Sequence, residues 1–178
     1  IRNKHDFIGS LNQGLHAAKG RYIARMDADD IMHNDRLRIQ YRIMEEEPSI
    51  TVCGTWIHPF GENIPAGNLS RTVDGKIEYP VIALLKENLL FHPTTLIRKD
   101  FLEKHHLQYE PYDSAEDYKL WVEIAKKNGV FYIEPQPLLF YRISGKQVTQ
   151  ARGKEQAETS EKIKKEIAIH FSQDYNFF

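Results

Sequence analysis

Cysteine is nearly missing from this 178-residue chain: Cys53 stands alone, which excludes an intramolecular disulfide and suits a reducing compartment. Long apolar runs are missing too, and none approaches the roughly 20 residues that a membrane-spanning helix needs. Neither sign of charge dominates. With 24 Lys and Arg against 25 Asp and Glu the formal net charge is -1, so no global electrostatic case exists for nucleic acid as the partner. What is present is ordinary for a globular domain, 41% hydrophobic and 28% charged residues. The chain opens Ile-Arg-Asn-Lys-His-Asp, and its first strongly apolar strand follows a helix-like segment. A doubly wound domain normally opens on a buried strand, so the expectation is a fragment that begins partway through a domain.

Periodicity sets the elements. Phe7, Ile8, Leu11, Leu15 and Ala18 recur at helical spacing, with Asp6 as N-cap and Gly20 placed to end the helix. Tyr22 to Met26 reads as a short buried strand running into Asp27. A second helix follows from about Asp35, its apolar face formed by Leu37, Ile39, Tyr41, Ile43 and Met44, and Pro48 stops it. Ile50 to Ile57 reads as a strand, and Phe60 to Asp74 as a loop or short hairpin. Pro80 opens a helix through Leu90, His92 to Arg98 reads as a strand, and Asp100 to His106 as a short helix. Glu116 to Asn128 is a clearer helix with Gly129 as its C-cap; Val130 to Ile133 and Leu138 to Arg142 are two strands split by Pro135 and Pro137. Lys154 to Ser172 is a charged helix with Ile163, Ile167 and Phe171 as its stripe. Alternating helices and strands favour an α/β sheet with helices packed against it.

Asp27-Ala28-Asp29-Asp30 follows the first strand directly. Ligands of open α/β sheets bind at the carboxyl ends of strands, and hard carboxylate oxygens suit Mg²⁺ or Mn²⁺. On an extended stretch the spacing i, i+2 sets Asp27 and Asp29 on one face. A solvated acidic turn is the competing reading. A cation accounts better for three carboxylates held together, because without one they repel. Glu116 and Asp117, heading a helix, are on their own ordinary partners for its dipole. Arg25 and Arg142 are candidates for bidentate phosphate contacts, Arg142 ahead of Arg25.

The stretch Asn12-Gln13-Gly14-Leu15-His16-Ala17-Ala18-Lys19-Gly20-Arg21-Tyr22-Ile23-Ala24-Arg25-Met26-Asp27-Ala28-Asp29-Asp30 resembles the middle of family 2 inverting glycosyltransferases of the GT-A fold. Asn34-Asp35-Arg36-Leu37 with Gln40 is similar to that family's Pro-x-Arg-Leu and Gln, although Asn34 stands where proline is usual. Val52-Cys53-Gly54, His92-Pro93-Thr94, Ala115-Glu116-Asp117-Tyr118-Lys119-Leu120-Trp121 and Tyr141-Arg142 continue the resemblance over most of residues 5 to 145.

The resemblance implies a partial Rossmann-like GT-A fold, with a mixed sheet flanked by helices and its first strands missing. It divides the chain into a partial catalytic domain over 1–150 and a helical tail over 151–178. It implies Mn²⁺ or Mg²⁺ held by Asp27 and Asp29, and a nucleotide-sugar donor, UDP-linked by family preference, with Asn12, Arg25 and Arg142 lining its site. Asp117 becomes the general base and Glu116 its neighbour, while Lys119 departs from an acidic residue frequent at that position. His92 and Trp121 are candidates for the acceptor side, Trp121 more readily as a core anchor. The acceptor would be a glycan or a lipid-linked glycan of a bacterial surface polysaccharide. The expected place is the cytoplasm, with peripheral association at the inner membrane face and self-association through an exposed sheet edge as further expectations. A chain short of one βαβ unit, roughly 30 residues, is expected to be weak or inactive alone. Two readings compete with this one. A nucleotidyl- or phosphoryl-transfer enzyme would use the same acidic run, although Asp30-Ile31-Met32 does not suit a dehalogenase-like phosphatase. A non-catalytic module would bind glycans or partners.

Overall fold

The computed structural model describes residues 6–61, 64, 67–112, 114–143 and 153–174. Six strands form one mixed sheet: β1 (Tyr22–Ala24), β2 (Ile31–Met32), β3 (Ile50–Gly61), β4 (Gly75–Ile77), β5 (Leu96–Arg98) and β6 (Val130–Ile143). Their order is β1-β5-β3-β6-β2, with β4 also on β6. Among the described residues only β3 and β6 run parallel; every other pairing of strands is antiparallel. β6 lies along β3 by one edge and divides the other, giving Phe131–Ile133 to β4 and Leu139–Phe140 to β2. The helices are α1 (Phe7–Ala17), α2 (Arg36–Glu46), α3 (Pro80–Leu84), α4 (Lys99–Lys104), α5 (Glu116–Lys126) and α6 (Gly153–Asp174).

The side-chain period of two separates two cores. Val52, Ile97, Phe131 and Ile133 point to one face and pack with Leu120, Trp121, Val122 and Ile124 of α5, and with Ile163 and Ile167 of α6. Their alternates Cys53 and Leu96 turn to the opposite face and meet Met44 of α2, together with Val130 and Tyr132. Helices therefore cover both faces, α2 alone on one and most of the others opposite, as expected for an α/β domain. The α6 stripe lies in the larger core, where Ile163 and Ile167 have no exposed surface and Phe171 packs beside them. Among the described residues no helix is long and apolar enough to cross a membrane.

Several elements depart from the sequence reading. The strand expected over Tyr22 to Met26 is three residues long and half-buried, because β1 has β5 as its single partner among the described residues. Asp6 does cap α1, accepting from the Gly9 amide at 2.7 Å, but the helix ends by extending at Ala18 (φ -63°, ψ 128°), not at Gly20. His92–Thr94 is a 3-10 turn in place of a strand start, and α3 stops at Leu84. β3 runs on to Gly61, and an isolated bridge joins Ile57 to Leu69 inside the stretch read as a loop or hairpin. The two strands expected around Pro135 and Pro137 are one. Its register against β3 slips at Thr55/Trp56 and Trp56/Ile57, opposite Glu134 to Leu139, and such an irregularity tolerates prolines that lack a ladder N–H. At the end of α5 it is Asn128 that takes the left-handed conformation (φ 61°). Gly129 follows it, its amide on Ile124 O at 3.0 Å, where a Cβ would lie 2.8 Å from that oxygen.

The largest departure is in α2. Its buried positions are Arg36, Gln40 and Met44, one face at a spacing of four, whereas Leu37 and Tyr41 of the expected apolar face are exposed. The Arg36 guanidinium donates to Gln40 Oε1 at 3.0 Å, to Arg25 O at 2.8 Å and to Thr95 O at 3.4 Å. Gln40 Nε2 donates to Cys53 O at 2.7 Å and Thr94 O at 2.8 Å. These donors satisfy carbonyls of β3, of the turn before β5 and of the chain leaving β1, so a polar helix face can be buried without loss.

Candidate active site

The chain leaves β1 at Arg25, whose amide donates to Thr95 O at 2.9 Å and whose carbonyl is held by Arg36. Asp27 to Asp30 then form a tight turn, the Asp30 amide reaching Asp27 O at 3.4 Å. The stretch is not extended, so an alternating-strand argument does not set Asp27 and Asp29 on one face. The Arg25 guanidinium grips the Asp27 carboxylate through two contacts, Nη1–Oδ2 at 2.8 Å and Nη2–Oδ1 at 2.6 Å, the bidentate geometry that orients both groups. Asp29 is exposed; its carbonyl accepts from Arg142 Nε at 2.9 Å. Asp30 turns inward, where Oδ1 accepts the Arg142 amide at 2.9 Å and Oδ2 is buried without a partner. Burial, followed by the repulsion of Asp27 and Asp29, raises its pKa to about 6 against the pull of the Arg142 amide. Arg142, at the exposed end of β6, lies over the Phe60 ring at 4.4 Å and thereby ties β6 to both the turn and β3.

A second acidic group heads α5. Asp117 is half-buried: Oδ2 accepts from Asn88 Nδ2 at 2.9 Å and Oδ1 from the Tyr118 amide at 2.6 Å. Desolvation raises its pKa, while those two hydrogen bonds and the positive charges of Arg25 and Arg71 hold the rise back. Glu116 is pushed up to about 7, first by desolvation and then by the Asp117 charge, with Arg25 and Asp27 also acting on it. The two acidic groups, ninety residues apart in sequence, therefore share one electrostatic neighbourhood, and Arg25 is common to both.

Asn12, His92 and Trp121 are engaged by the fold itself. Asn12 makes two hydrogen bonds with one residue, Nδ2 to Tyr109 O at 2.9 Å and Oδ1 from Tyr109 N at 2.8 Å, clamping α1 to the segment before α5. Both ends of its amide are thus held by backbone. His92, almost wholly buried, meets Tyr109 Oη through Nε2 at 2.8 Å, and desolvation holds it neutral, well below its ordinary pKa. Trp121 has no exposed surface and stands edge-on to His92 at 6.0 Å between ring centroids, so it offers no face for sugar stacking. Burial in the core explains both positions. Lys119, the departure noted from the family pattern, is buried and bonded to Glu123 at 2.7 Å and Glu166 at 2.8 Å, joining α5 to α6.

Sequence reasoning gave no role to Asn88, Tyr109, Arg36 or Gln40. Arg36 and Gln40 were visible as part of a motif, but nothing local shows that a charged residue on a polar helix is a buried brace. Among the described residues no group of three or more His, Cys, Asp or Glu converges into a metal cage. The donor chemistry nonetheless suits a hard cation. Mg²⁺ takes one or two carboxylates and fills its remaining positions with water and substrate phosphate, and Asp27 and Asp29 supply carboxylates of that kind at one turn.

The comparisons with known proteins converge on one class. The model of Glycosyl transferase family 2 matches residues 1–106. A relative described as an uncharacterized glycosyltransferase of Haemophilus influenzae is 34% identical over 96% of this chain and 56% of its own length. The amylovoran biosynthesis glycosyltransferase AmsE of Erwinia amylovora is 29% identical over 81% of this chain and 53% of its own. Among solved structures, S. aureus TarS 1-349 in complex with UDP-GlcNAc superposes with a TM-score of 0.64 at 15% identity, over 89% of this chain and 45% of that one. That likeness bears on the fold, which is GT-A: a curled mixed sheet flanked by helices. The chain belongs to glycosyltransferase family 2. It spans about half the length of the curated relatives it matches.

Proposed function

We propose that this chain carries the diphosphate-side and acceptor-side groups of an inverting transferase. It would move a sugar from a nucleotide-diphosphate donor, UDP-linked by preference, to a hydroxyl of a glycan or lipid-linked glycan during bacterial surface-polysaccharide synthesis. One observation carries the reading: Glu116 and Asp117, desolvated at the head of α5, lie within electrostatic reach of the Arg25–Asp27 pair at the end of β1. A base and a diphosphate site must be neighbours for in-line displacement. The amylovoran role of the Erwinia relative supports the polysaccharide assignment, and the UDP-GlcNAc bound by TarS supports the donor class.

In this reading the acceptor oxygen bonds to the anomeric carbon as the bond to the diphosphate oxygen breaks, and the hydroxyl proton passes to the Asp117 carboxylate. Asn88 and the Tyr118 amide orient that carboxylate. Asp27 and Asp29 are the residues that would hold Mn²⁺ or Mg²⁺. The chemistry such an ion supplies is Lewis-acid stabilisation of the departing diphosphate. Arg142 is suited to a phosphate contact by its exposed place beside the turn. Peripheral membrane attachment and self-association through β1 are parts of the same proposal, as is the separation of residues 151–178 as a tail.

Calorimetric titration of UDP, with and without Mn²⁺, tests the site on the chain itself. Metal-dependent heat that disappears in the Asp27→Asn/Asp29→Asn double variant is expected. Binding that ignores both metal and aspartates would overturn the donor assignment. For the base, Asp117→Asn in a version spanning the relatives' full length is expected to abolish transfer while UDP binding persists; undiminished transfer would remove Asp117 from the role.

A further inference from the structure

A groove of about 810 Å³ lies between α3 with its flanks and the segment around β4, and no part of the reading above uses it. Val73, Ile77 and Ala83 line it and pack from it against the main core. Tyr79 and Ile82 line it too but stay in solvent, at 74% and 57% exposure. The Tyr79 side chain has no ring contact or hydrogen bond among the described residues, so one aromatic face is displayed and unused. Tyr79, Ile82 and Lys86, at i, i+3 and i+7, share one side of α3 and the turn after it.

The groove is continuous with the acceptor side of the site. Glu87 stands at its end, where Oε1 accepts from the Thr72 amide at 2.9 Å and from the Thr72 hydroxyl. The next residue, Asn88, donates to the Asp117 carboxylate at 2.9 Å. Tyr118, which follows Asp117, donates through its hydroxyl to Leu84 O, so α3 is fixed to the head of α5.

Charge decides what fits there. Lys76 and Lys86 are balanced by Glu78 and Glu87, so the groove has no net charge with which to attract an anionic membrane or a polyanion. Lys76 is already held by Glu47 at 3.1 Å and Glu78 at 3.6 Å. Lys86 Nζ has no partner among the described residues, and Glu87 Oε2 lies 3.9 Å from Arg71, beyond hydrogen-bond distance. What remains open is an aromatic face, one donor group and one acceptor oxygen. A neutral saccharide matches that set, with an apolar C–H face for the ring and hydroxyls that both donate and accept.

We propose that this groove is an acceptor subsite for a neutral glycan: sugar units beyond the reacting one lie along it, on the Tyr79 ring, with hydroxyls on Lys86 Nζ and Glu87 Oε2. The proposal rests on the reading of Asp117 as base for its place in the reaction, but not for its test.

The test is binding of the chain to a printed array of neutral oligosaccharides containing glucose, galactose and N-acetylglucosamine, with sialylated and phosphorylated glycans beside them. Wild type, Tyr79→Ala, Tyr79→Phe and Lys86→Ala are compared, with far-UV circular dichroism to check the fold. Wild type is expected to bind neutral oligosaccharides, Tyr79→Ala about tenfold more weakly, and Tyr79→Phe, which keeps the ring, like wild type. Lys86→Ala is expected to bind about threefold more weakly and decides alone if Tyr79→Ala does not fold. No neutral glycan bound by wild type would overturn the proposal. So would unchanged binding in the decisive variant, or a preference for the charged glycans. Wild type sedimenting as a dimer and Tyr79→Ala as a monomer would give the groove to a second copy of this chain and likewise overturn it. UDP titration of the same proteins reads the donor site separately: its failure beside intact glycan binding would remove the donor reading and leave the subsite standing.

Discussion

The two acidic corners of this site are built on opposite principles. At the β1 turn, charge is met by charge and by hydrogen bonds: Asp27 is forked by Arg25, the Asp29 carbonyl is held by Arg142, and the whole turn sits on the Arg36–Gln40 brace. At the head of α5, the carboxylates are desolvated, and their direct hydrogen-bond partners are neutral, an asparagine and a backbone amide. The first arrangement fixes negative charge in place, which is what a cation site needs. The second moves proton affinity toward neutrality, which is what proton exchange with a hydroxyl needs. Asp30 is the exception that marks the boundary, a member of the turn by sequence but a desolvated carboxyl by environment.

The largest effect is expected from the brace. Arg36→Met would strip donors from Gln40 Oε1, Arg25 O and Thr95 O in a buried setting, and leaving such acceptors unmet should cost about 3 kcal/mol in urea unfolding. Burial lowers the Arg36 pKa to about 10, so the guanidinium stays charged at neutral pH. Arg36→Lys, with one compact donor head in place of a fork, should lie between. A loss below 1 kcal/mol for Arg36→Met would mean that the turn does not depend on α2.

Glu116 should behave in the contrary way, through pH and not through contacts. Its folded pKa of about 7 lies above the ordinary 4.5, so the fold favours its neutral form. The sign follows: its favourable contribution is complete below pH 4.5 and is lost as pH rises through 7. Glu116→Gln keeps the shape and removes the titration. It should gain about 1–2 kcal/mol over wild type at pH 8 relative to its effect at pH 4, after allowance for partial solvent screening. Equal effects at both pH values would mean that Glu116 is not desolvated, and the contrast between the corners would fail.

What the sequence discloses follows the same division. The Asp27–Asp30 run and the Glu116-Asp117 pair stood out as candidates because each puts its carboxylates in consecutive residues. The fold class was legible from alternating elements and from the family resemblance; that Val52 and Cys53 face opposite cores was not. The brace was not, because Arg36 and Gln40 one turn apart look like a solvated helix face until β3 and the β5 approach supply carbonyls to bury them. β2 was invisible because two residues form a strand only when β6 arrives from more than a hundred positions away. Pro135 and Pro137 read as a break because local rules cannot see that a slip in register accommodates them. Trp121 packs in the core, as its preferred reading as a core anchor had it, whereas His92 was drawn toward the acceptor by its place in a motif and is buried beside it.

Asp30 should give a smaller effect with the sign of Glu116. Its pKa of about 6 against an ordinary 3.8 means that its contribution is present below pH 3.8 and lost as pH rises through 6. Asp30→Asn retains an oxygen for the Arg142 amide but places an N–H₂ where Oδ2 now has no partner. That unmet donor offsets part of the gain, so less than about 1 kcal/mol should remain at pH 8 in urea unfolding. A gain as large as that of Glu116→Gln would place Asp30 with the α5 carboxylates and erase the boundary.

Asp29 should give the smallest change in stability and, for that reason, the sharpest test of the turn. Its carboxylate is exposed and takes no hydrogen bond or ion pair among the described residues, so Asp29→Asn should leave urea unfolding within about 0.5 kcal/mol of wild type. Asp27→Asn should cost more, since it leaves the half-buried Arg25 without its forked partner. If the proposed metal-dependent UDP binding is lost in Asp29→Asn while stability does not move, the loss belongs to the ligand and not to the fold. If stability falls as far in Asp29→Asn as in Asp27→Asn, the Asp29 carboxylate is part of the scaffold, and the turn holds charge for its own geometry before it holds anything for a ligand.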